Sequence, residues 1–451
     1  MGAAVSEEER MGYKQSMFNH ICPTEDGKFL LYNSYRGFDS LASISVVDFN
    51  QIIDSLTKID IDYNQQFRTL KSLGYFVQSD TDETILREQK YMDVVEENTL
   101  RLIILPTEKC NFCCKYCYET FEKGKMSEAI QSSLIRFVRK NIMKFSSLDV
   151  RWFGGEPLEA LDVIENLSKS FINICDCSKR NYSASMTTNG YDLTLENFRK
   201  LYALKVYNYQ ITIDGIKATH DNLRVLKNGC GTFDRIISNL NAIKAGAKSG
   251  IPRFTIRTNF TKSVAKHLDE FLEYFSTSFS GDKRFSFSIQ KAADWGGERV
   301  QNISDNLMDT KFYLELLDKI AHSNYKLDVS PHGALMNANT CVCYANKRNS
   351  FVIGSDGAIY KCTGDFSFPQ NHIGQLVDGE LSIDENKHSK WICKKYRENK
   401  NCDRCFYSGA CLSGSCPAAF LKGEKDGMCL LEKSFIDNFL KLFDRQCFTE
   451  V

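Results

Sequence analysis

The residues in this sequence most able to do chemistry are its eighteen cysteines, and most of them are grouped. Cys110, Cys113, Cys114 and Cys117 form one group, Cys341, Cys343 and Cys362 a second, and Cys402, Cys405, Cys411, Cys416 and Cys429 a third. The first group is spaced Cys110-x3-Cys114-x2-Cys117. Three thiolates on one tight loop can hold three irons of a [4Fe-4S] cube and leave the fourth iron without a protein ligand. An open position on a metal is where a small molecule binds and reacts. Cys113 would point away from such a cube and reads as packing. Zinc, with a fourth ligand from elsewhere, is the competing reading for the first loop, and Cys402-x2-Cys405 is a common zinc half-site. Cys22, Cys175, Cys177, Cys230, Cys393 and Cys447 are scattered and read as buried small hydrophobes.

Such a loop needs a scaffold. Residues 1–95 read as a separate module. It has a β-like stretch at Lys28–Tyr32 and helical spacing of Val47, Ile52, Ile53 and Leu56. A further helix and the run Leu73–Val77 follow, giving a small helical unit with a β-wing. From about residue 98 the rhythm changes. The apolar run Leu102–Leu105 directly precedes the cysteine loop. Further strands are expected at Leu148–Phe153, Tyr182–Thr187, Val206–Ile213, Phe254–Asn259 and Phe285–Ile289. Helices are expected at Glu128–Met143, Leu161–Ile174, Leu195–Leu204, Phe233–Ala245 and Val264–Phe275. Alternation of this kind makes βα units and a parallel sheet. Six units over 96–330 fit a partial (β/α)6 barrel or an open doubly wound sheet, with chemistry at the C-terminal strand ends in either case. The fold class is α/β. Over 331–451 the periodicity is lost, and a cysteine-rich domain that relies on bound metal for its stability is expected, closed by an amphipathic helix at Leu430–Phe443.

The loop Thr107-Glu-Lys-Cys110-Asn-Phe-Cys-Cys114-Lys-Tyr116-Cys117-Tyr118 resembles the cluster loop of the radical S-adenosylmethionine (SAM) superfamily. Gly154-Gly155-Glu156-Pro157, at the end of the second strand, is similar to the stretch that binds the SAM amino group in that family. Paired glycines admit close backbone approach, and a carboxylate with carbonyls accepts from an ammonium. Thr187-Thr188-Asn189-Gly190 and Ile213-Asp214-Gly215 resemble segments that approach the SAM ribose and methionine. Arg224 matches an arginine near the SAM carboxylate, which a guanidinium grips bidentately. Tyr116 stands beside the last ligand, and Arg257 and Asn259 are further candidates. Cys110, Cys114 and Cys117 are thereby implied as ligands of a catalytic [4Fe-4S] cluster.

The C-terminal cysteines are similar to the SPASM extension of these enzymes, which carries two auxiliary [4Fe-4S] clusters. The resemblance implies Cys402, Cys405, Cys411 and Cys429 on the outer cluster. It implies Cys343, Cys362 and Cys416 on the inner one, with Cys341 as a fourth ligand or an iron left open. The chain departs from the pattern in having four residues between Cys411 and Cys416 and one between Cys341 and Cys343.

The cofactors implied are three [4Fe-4S] clusters and SAM. The implied reaction is reductive cleavage of SAM and hydrogen abstraction from a substrate. A low-potential donor such as flavodoxin or ferredoxin would supply the electron. Relatives of this type mostly modify peptides, and the N-terminal module resembles one that recognises a leader segment of a peptide substrate. The reaction expected is a cross-link in a ribosomally made peptide, a cysteine thioether, as in sactipeptide and ranthipeptide maturases. The alternatives are an anaerobic sulfatase-maturing (formylglycine-generating) enzyme and, in another class, an iron–sulfur electron carrier. Maturases typically carry aspartate directly after the residue matching Cys362, where this chain has Thr363, with Asp365 two positions on. No catalytic acid or base is assigned.

The remaining composition sets boundaries. Lysine plus arginine equals aspartate plus glutamate at 57 each, which gives no electrostatic case for nucleic acid. No apolar run approaches the roughly 18–20 residues of a spanning helix, and the start of the chain lacks a signal peptide's apolar region. A cytoplasmic location with reduced thiols is the expectation.

Overall fold

The computed structural model describes residues 12–56, 64–119, 123–247, 250–294, 298–321, 323, 342–392, 400–412, 416–423, 436–442 and 448–451. The chain forms two compact units. One is built from 97–331 and 347–392, the other from 1–96, 332–346 and 393–451.

The larger unit is organised by one sheet. Strands β1 (Thr99–Ile104), β2 (Ser147–Trp152), β3 (Asn181–Thr188), β4 (Val206–Thr212), β5 (Arg253–Phe260) and β6 (Phe285–Lys291) pair in sequential order, every pair parallel. Six parallel strands in sequential order, linked by helices, are the sheet expected of the partial barrel. The crossovers carry helices α1 (Glu128–Asn141), α2 (Leu161–Cys177), α3 (Leu195–Ala203), α4 (Lys217–Leu223), α5 (Phe233–Gly246) and α6 (Leu268–Phe279), and α7 (Thr310–Ala321) follows β6. Helix starts are fixed locally. Ser127 Oγ accepts from Ile130 N at the head of α1, and Thr194 Oγ1 from Asn197 N at the head of α3. The start of α5 is capped at long range, Asp221 Oδ1 accepting from both Thr232 N and Phe233 N.

Alternation along the strands separates two faces. On β2, Leu148, Val150 and Trp152 are fully buried, while Ser147, Asp149 and Arg151 are half-buried. Aromatic rings bind the later strands together. Tyr209 stacks on Phe254 with ring centres 5.2 Å apart, and Phe254 on Phe285 at 4.9 Å. Each such pair adds about 0.5–1.5 kcal/mol beyond its buried area.

The sheet does not stop at β1. Strand β7 (Ser350–Ile353) pairs parallel with β1, and β8 (Ala358–Tyr360), β9 (His372–Val377) and β10 (Glu380–Ile383) continue it antiparallel. The expected domain at 331–451 is therefore divided between the units. Residues 350–383 extend the barrel sheet, and the segments after residue 400 belong with the N-terminal module.

In the smaller unit, strands Asn19–Pro23, Lys28–Asn33 and Ala42–Ser45 form an antiparallel sheet, with Thr449–Glu450 parallel to the last. Side chains alternate across it. Leu31, Ala42 and Ile44 pack with Phe49, Ile52, Phe67 and Leu70 from the helices Val46–Ser55 and Gln65–Ser72. Cys22, Leu30 and Tyr32 pack from the other face against Tyr407, Ala410, Ile436 and Leu440. Both faces of the sheet thus meet apolar partners, one set from the C-terminal segments. The closing helix is described over Ile436–Leu442; its expected beginning lies outside the described residues. No described helix is long and apolar enough to cross a membrane.

Candidate active site at the cysteine loop

The first cysteine loop leaves β1 and runs over the C-terminal ends of its neighbours. Its backbone is held by pairing with the segment after α4. Cys113 N donates to Val225 O at 2.8 Å, Lys115 N to Leu223 O at 3.0 Å and Lys227 N to Asn111 O at 3.2 Å. On the other side it crosses the glycine pair. A Cβ at Gly155 would lie 2.3 Å from Lys109 O, and one at Gly154, where φ is +119°, would lie 2.4 Å from Thr107 O. Only glycine lets the loop pass this close. Pro157 opens a short 3-10 turn, Pro157–Ala160, that leads the chain away into α2.

Two buried polar networks meet beneath the loop. In the first, the Glu156 carboxylate is wholly buried and accepts from Thr188 Oγ1 (2.7 Å), Asn189 N (2.7 Å) and Leu158 N (3.0 Å). Asn189 Nδ2 donates to Asn111 Oδ1 at 2.7 Å and reaches Cys110 Sγ at 4.0 Å. Burial raises the Glu156 carboxyl to about 7, its hydrogen bonds working the other way. In the second, Tyr116 Oη donates to Asp214 Oδ2 and accepts from Arg224 Nη1 at 2.8 Å and Asn259 Nδ2 at 3.3 Å. Asp214 Oδ1 accepts from Asn259 N at 2.9 Å. Asp214 N donates to His220 Nδ1 at 3.1 Å, so that nitrogen is unprotonated; burial and Arg224 hold the ring well below its ordinary pKa. His220 Nε2 then meets Thr232 Oγ1 at 3.0 Å. Arg224 is nine-tenths buried, and its Nε has no hydrogen-bond partner among the described residues.

The expected SAM-facing residues are thus brought together at one end of β1–β5, but several are engaged with each other. Glu156, Thr188 and Asn189 brace the loop, and Tyr116, Asp214, Arg224 and Asn259 brace its far end. The orphaned guanidinium nitrogen is the feature that asks for a further acceptor.

Cys110 and Cys114 are buried, and Cys117 is half-buried. Burial pushes all three thiols up, Cys117 to about 12, while Arg224 acts in the opposite sense on each. Three thiols on one loop, two buried and one half-buried, are a donor set that iron would convert to thiolates, binding metal and releasing protons. Cys110 Sγ also accepts from Phe112 N at 3.4 Å, a contact suited to a ligated sulfur. Among the described residues no three His, Cys, Asp or Glu groups are gathered around one point as for a single ion. A cube does not ask for that, since each thiolate binds its own iron. The residues fit the cluster.

Several partners were not legible in the sequence. Tyr118 Oη donates to Thr363 O at 2.8 Å, and Ser355 Oγ to Glu108 Oε1 at 3.2 Å, so the segments on either side of β8 support the loop. Burial, with Glu108 nearby, raises Glu119 to about 8. Cys362 is presented by Asn371, whose side chain is almost fully buried. Its Oδ1 accepts from Lys361 N and Cys362 N, and its Nδ2 donates to Cys362 O and Asp365 O, all at 2.6–3.0 Å. Cys362 Sγ accepts from Gly364 N at 3.2 Å.

In the smaller unit Cys402, Cys405, Cys411 and Cys416 are half-buried on short helical turns. Arg87 holds them from the N-terminal module, donating to Cys402 O at 3.1 Å and Ser408 Oγ at 3.3 Å, with Asp403 at 3.7 Å. Ser34 Oγ donates to Phe406 O. A Cβ at Gly409 would lie 2.6 Å from Tyr35 N. Cys343 belongs to this unit and Cys362 to the other, while Cys341 and Cys429 lie outside the described residues. None of the described cysteines forms a disulfide. Of the scattered cysteines, Cys22 and Cys175 are buried as expected, whereas Cys177 and Cys230 are exposed; Cys393 and Cys447 lie outside the described residues. Cys177 ends α2 and Cys230 sits in a turn, positions that no core covers.

Residues 104–275 match the radical SAM superfamily model. The chain is 23% identical over 377 residues to the cysteine-type anaerobic sulfatase-maturating enzyme of Clostridium novyi, covering 76% of this chain and 96% of that protein. It is 22% identical over 342 residues to the radical SAM cyclopropyl synthase TigE of Paramaledivibacter caminithermalis, covering 71% and 68%. Among solved structures it is similar to native anSMEcpe with bound AdoMet and Cp18Cys peptide, with a TM-score of 0.60 and 19% identity over 76% of this chain and 98% of that one.

Proposed function

We infer that this chain, a radical SAM enzyme by its matched domain and its parallel barrel, modifies a residue of a peptide or protein by hydrogen abstraction. The observation that carries the reading is the packing of the Cys110-Cys114-Cys117 loop onto Gly154-Gly155, with the partnerless Nε of Arg224 at its edge. Cys110, Cys114 and Cys117 would hold the catalytic [4Fe-4S] cluster. When bound, that cluster supplies one electron to SAM and so yields the carbon-centred radical that takes hydrogen from the substrate. The chain's own residues do the positioning. Arg224, whose Nε lacks a partner, takes the SAM carboxylate. Backbone groups at Gly154–Glu156 take the ammonium, and Asp214 with Tyr116 fixes the loop's far end. The Glu156 and Asp214 networks exclude water from beneath the cluster.

The relatives support a peptide or protein substrate: the Clostridium novyi relative is named for maturing a sulfatase, and the similar solved structure holds a peptide. For the bond formed we favour a cysteine thioether cross-link. Asp365, the acid nearest in sequence to Cys362, is engaged in a turn. Its Oδ1 accepts from Ser367 N (3.0 Å), Ser367 Oγ (2.7 Å) and Phe368 N (3.0 Å), which argues against its serving as the base of a maturase. Formylglycine formation is the second reading, favoured by the long match to a sulfatase-maturating enzyme. Cys402, Cys405, Cys411 and Cys429 are proposed for an outer auxiliary cluster and Cys343, Cys362 and Cys416, with or without Cys341, for an inner one. A low-potential flavodoxin or ferredoxin is proposed as donor. Offering cysteine-containing leader peptides and sulfatase peptides anaerobically tests the choice. Loss of two hydrogens from the former supports cross-linking, and an aldehyde in the latter supports maturation.

A further inference from the structure

The barrel sheet has two unlike faces at its later strands. The face under the helices is apolar, with Ile211, Phe254, Ile256, Phe285, Phe287 and Ile289 buried. The opposite face is polar and half-buried, and runs through Gln210, Thr255, Arg257, Asn259, Ser288 and Gln290. In register, Arg257 lies between Thr212 on β4 and Ser288 on β6, and Asn259 lies beside Gln290.

Arg257 is the charged residue in the middle of this polar face. Its Nε donates to Asn259 Oδ1 at 3.1 Å, and among the described residues no carboxylate forms an ion pair with it. Asp214 acts on it from a distance. Both oxygens of Asp214 are already occupied, one by the Asn259 amide and the other by Tyr116, with Arg224 at 4.0 Å. Burial opposes the charge on Arg257 and lowers its pKa from the ordinary arginine value. The two arginines are therefore different. Arg224 is tied into the loop by Tyr116, whereas Arg257 stands among amides and hydroxyls without a counter-ion. A guanidinium so placed suits an anion, and its planar fork matches a carboxylate with two parallel hydrogen bonds.

We propose that Arg257 is a substrate-anchoring residue that receives a carboxylate of the peptide, from an aspartate or glutamate side chain or from a free chain end. This rests on the peptide reading above. Asn259 orients the guanidinium through its Oδ1, and the flanking hydroxyl and amide groups of Ser288 and Gln290 supply hydrogen bonds around the carboxylate and to the peptide backbone beside it.

The test uses the full iron-loaded chain with SAM, as wild type, Arg257→Lys and Arg257→Gln. The probes are acetyl-Gly-Glu-Gly-amide, acetyl-Gly-Gln-Gly-amide and acetyl-Gly-Gly-Gly with a free carboxylate, with affinities for SAM and decarboxylated SAM measured alongside. Wild type is expected to bind at least one carboxylate peptide about tenfold or more tightly than the glutamine peptide. The glutamate and free-end peptides distinguish the two sources of carboxylate. Arg257→Gln removes the preference, Arg257→Lys keeps part of it, and SAM affinity stays within about twofold in all three. Equal binding of all three peptides by wild type overturns the assignment of Arg257 and leaves the peptide reading standing. Binding of no peptide contradicts both. A loss of SAM affinity in Arg257→Gln that decarboxylated SAM does not show moves Arg257 to the cofactor's carboxylate and overturns the proposal.

Discussion

The two described cysteine loops are held in opposite ways. The loop at 110–117 is part of the barrel. Glycine contacts of 2.3–2.4 Å fix its path, strand ends carry it, and two buried polar networks brace it from below. The cysteines at 402–411 sit on or between short helical turns and are held by a few side chains reaching across the sequence, chiefly Arg87 and Ser34. The first is preorganised by the fold, as a reacting site must be. The second has little regular structure of its own and is the kind of segment to which bound metal contributes folding energy. A cluster proposed to react needs geometry before it binds iron, and one proposed as auxiliary can obtain much of its geometry from iron.

The comparison can be broken at several points. Gly155→Ala places a methyl against the Lys109 carbonyl and should displace the loop by a large part of an ångström. SAM cleavage should fall about 100-fold while the C-terminal clusters keep their iron. Equal loss at both places would mean that the loops are not independent. Cys405→Ala should do the reverse, removing about four irons per chain and abolishing peptide product while 5′-deoxyadenosine formation persists. Iron analysis with product assay reads both.

Arg87→Ala leaves the Cys402 carbonyl and Ser408 hydroxyl without their buried donor. It should lower the stability of the smaller unit by about 2 kcal/mol, read by denaturant unfolding, and leave SAM cleavage unchanged. The smallest expected effect is in pH dependence. The Glu156 carboxyl is raised to about 7, so its native form binds the proton more readily than the unfolded chain does. Its contribution is present below the unfolded value of about 4.5 and is lost as pH rises to about 7. Burial lowers Lys90, in the smaller unit, to about 8, so its contribution improves as pH rises from about 8 towards 10.5. Differences between wild type and Glu156→Gln, and between wild type and Lys90→Met, should slope in opposite directions in these windows. Parallel slopes would contradict the assigned burial.

What the sequence carries well is local. The periodicities place β2–β6 within a residue or two, and the spacing of Cys110, Cys114 and Cys117 marks the loop, because both signals are written in neighbouring positions. What it does not carry is partnership at long range. The family resemblance implies Glu156, Thr188, Asn189 and Asp214 for SAM, yet their buried side chains mostly satisfy one another, and a buried carboxylate must find donors wherever the fold supplies them. Asn371 and Arg87 carry no motif. Their roles appear only when residues 9 and 315 positions away come within hydrogen-bond reach. The division of the C-terminal cysteines between two units is likewise invisible, since strands at 350–383 join a sheet whose other members lie before residue 300.

The most direct test of the central claim is anaerobic, reductant-dependent formation of 5′-deoxyadenosine from SAM by wild type and by Cys114→Ala. The account predicts formation by wild type alone, with the iron of the C-terminal clusters retained in the variant. Equal formation by both, or none by fully iron-loaded wild type even with candidate peptides present, would contradict it.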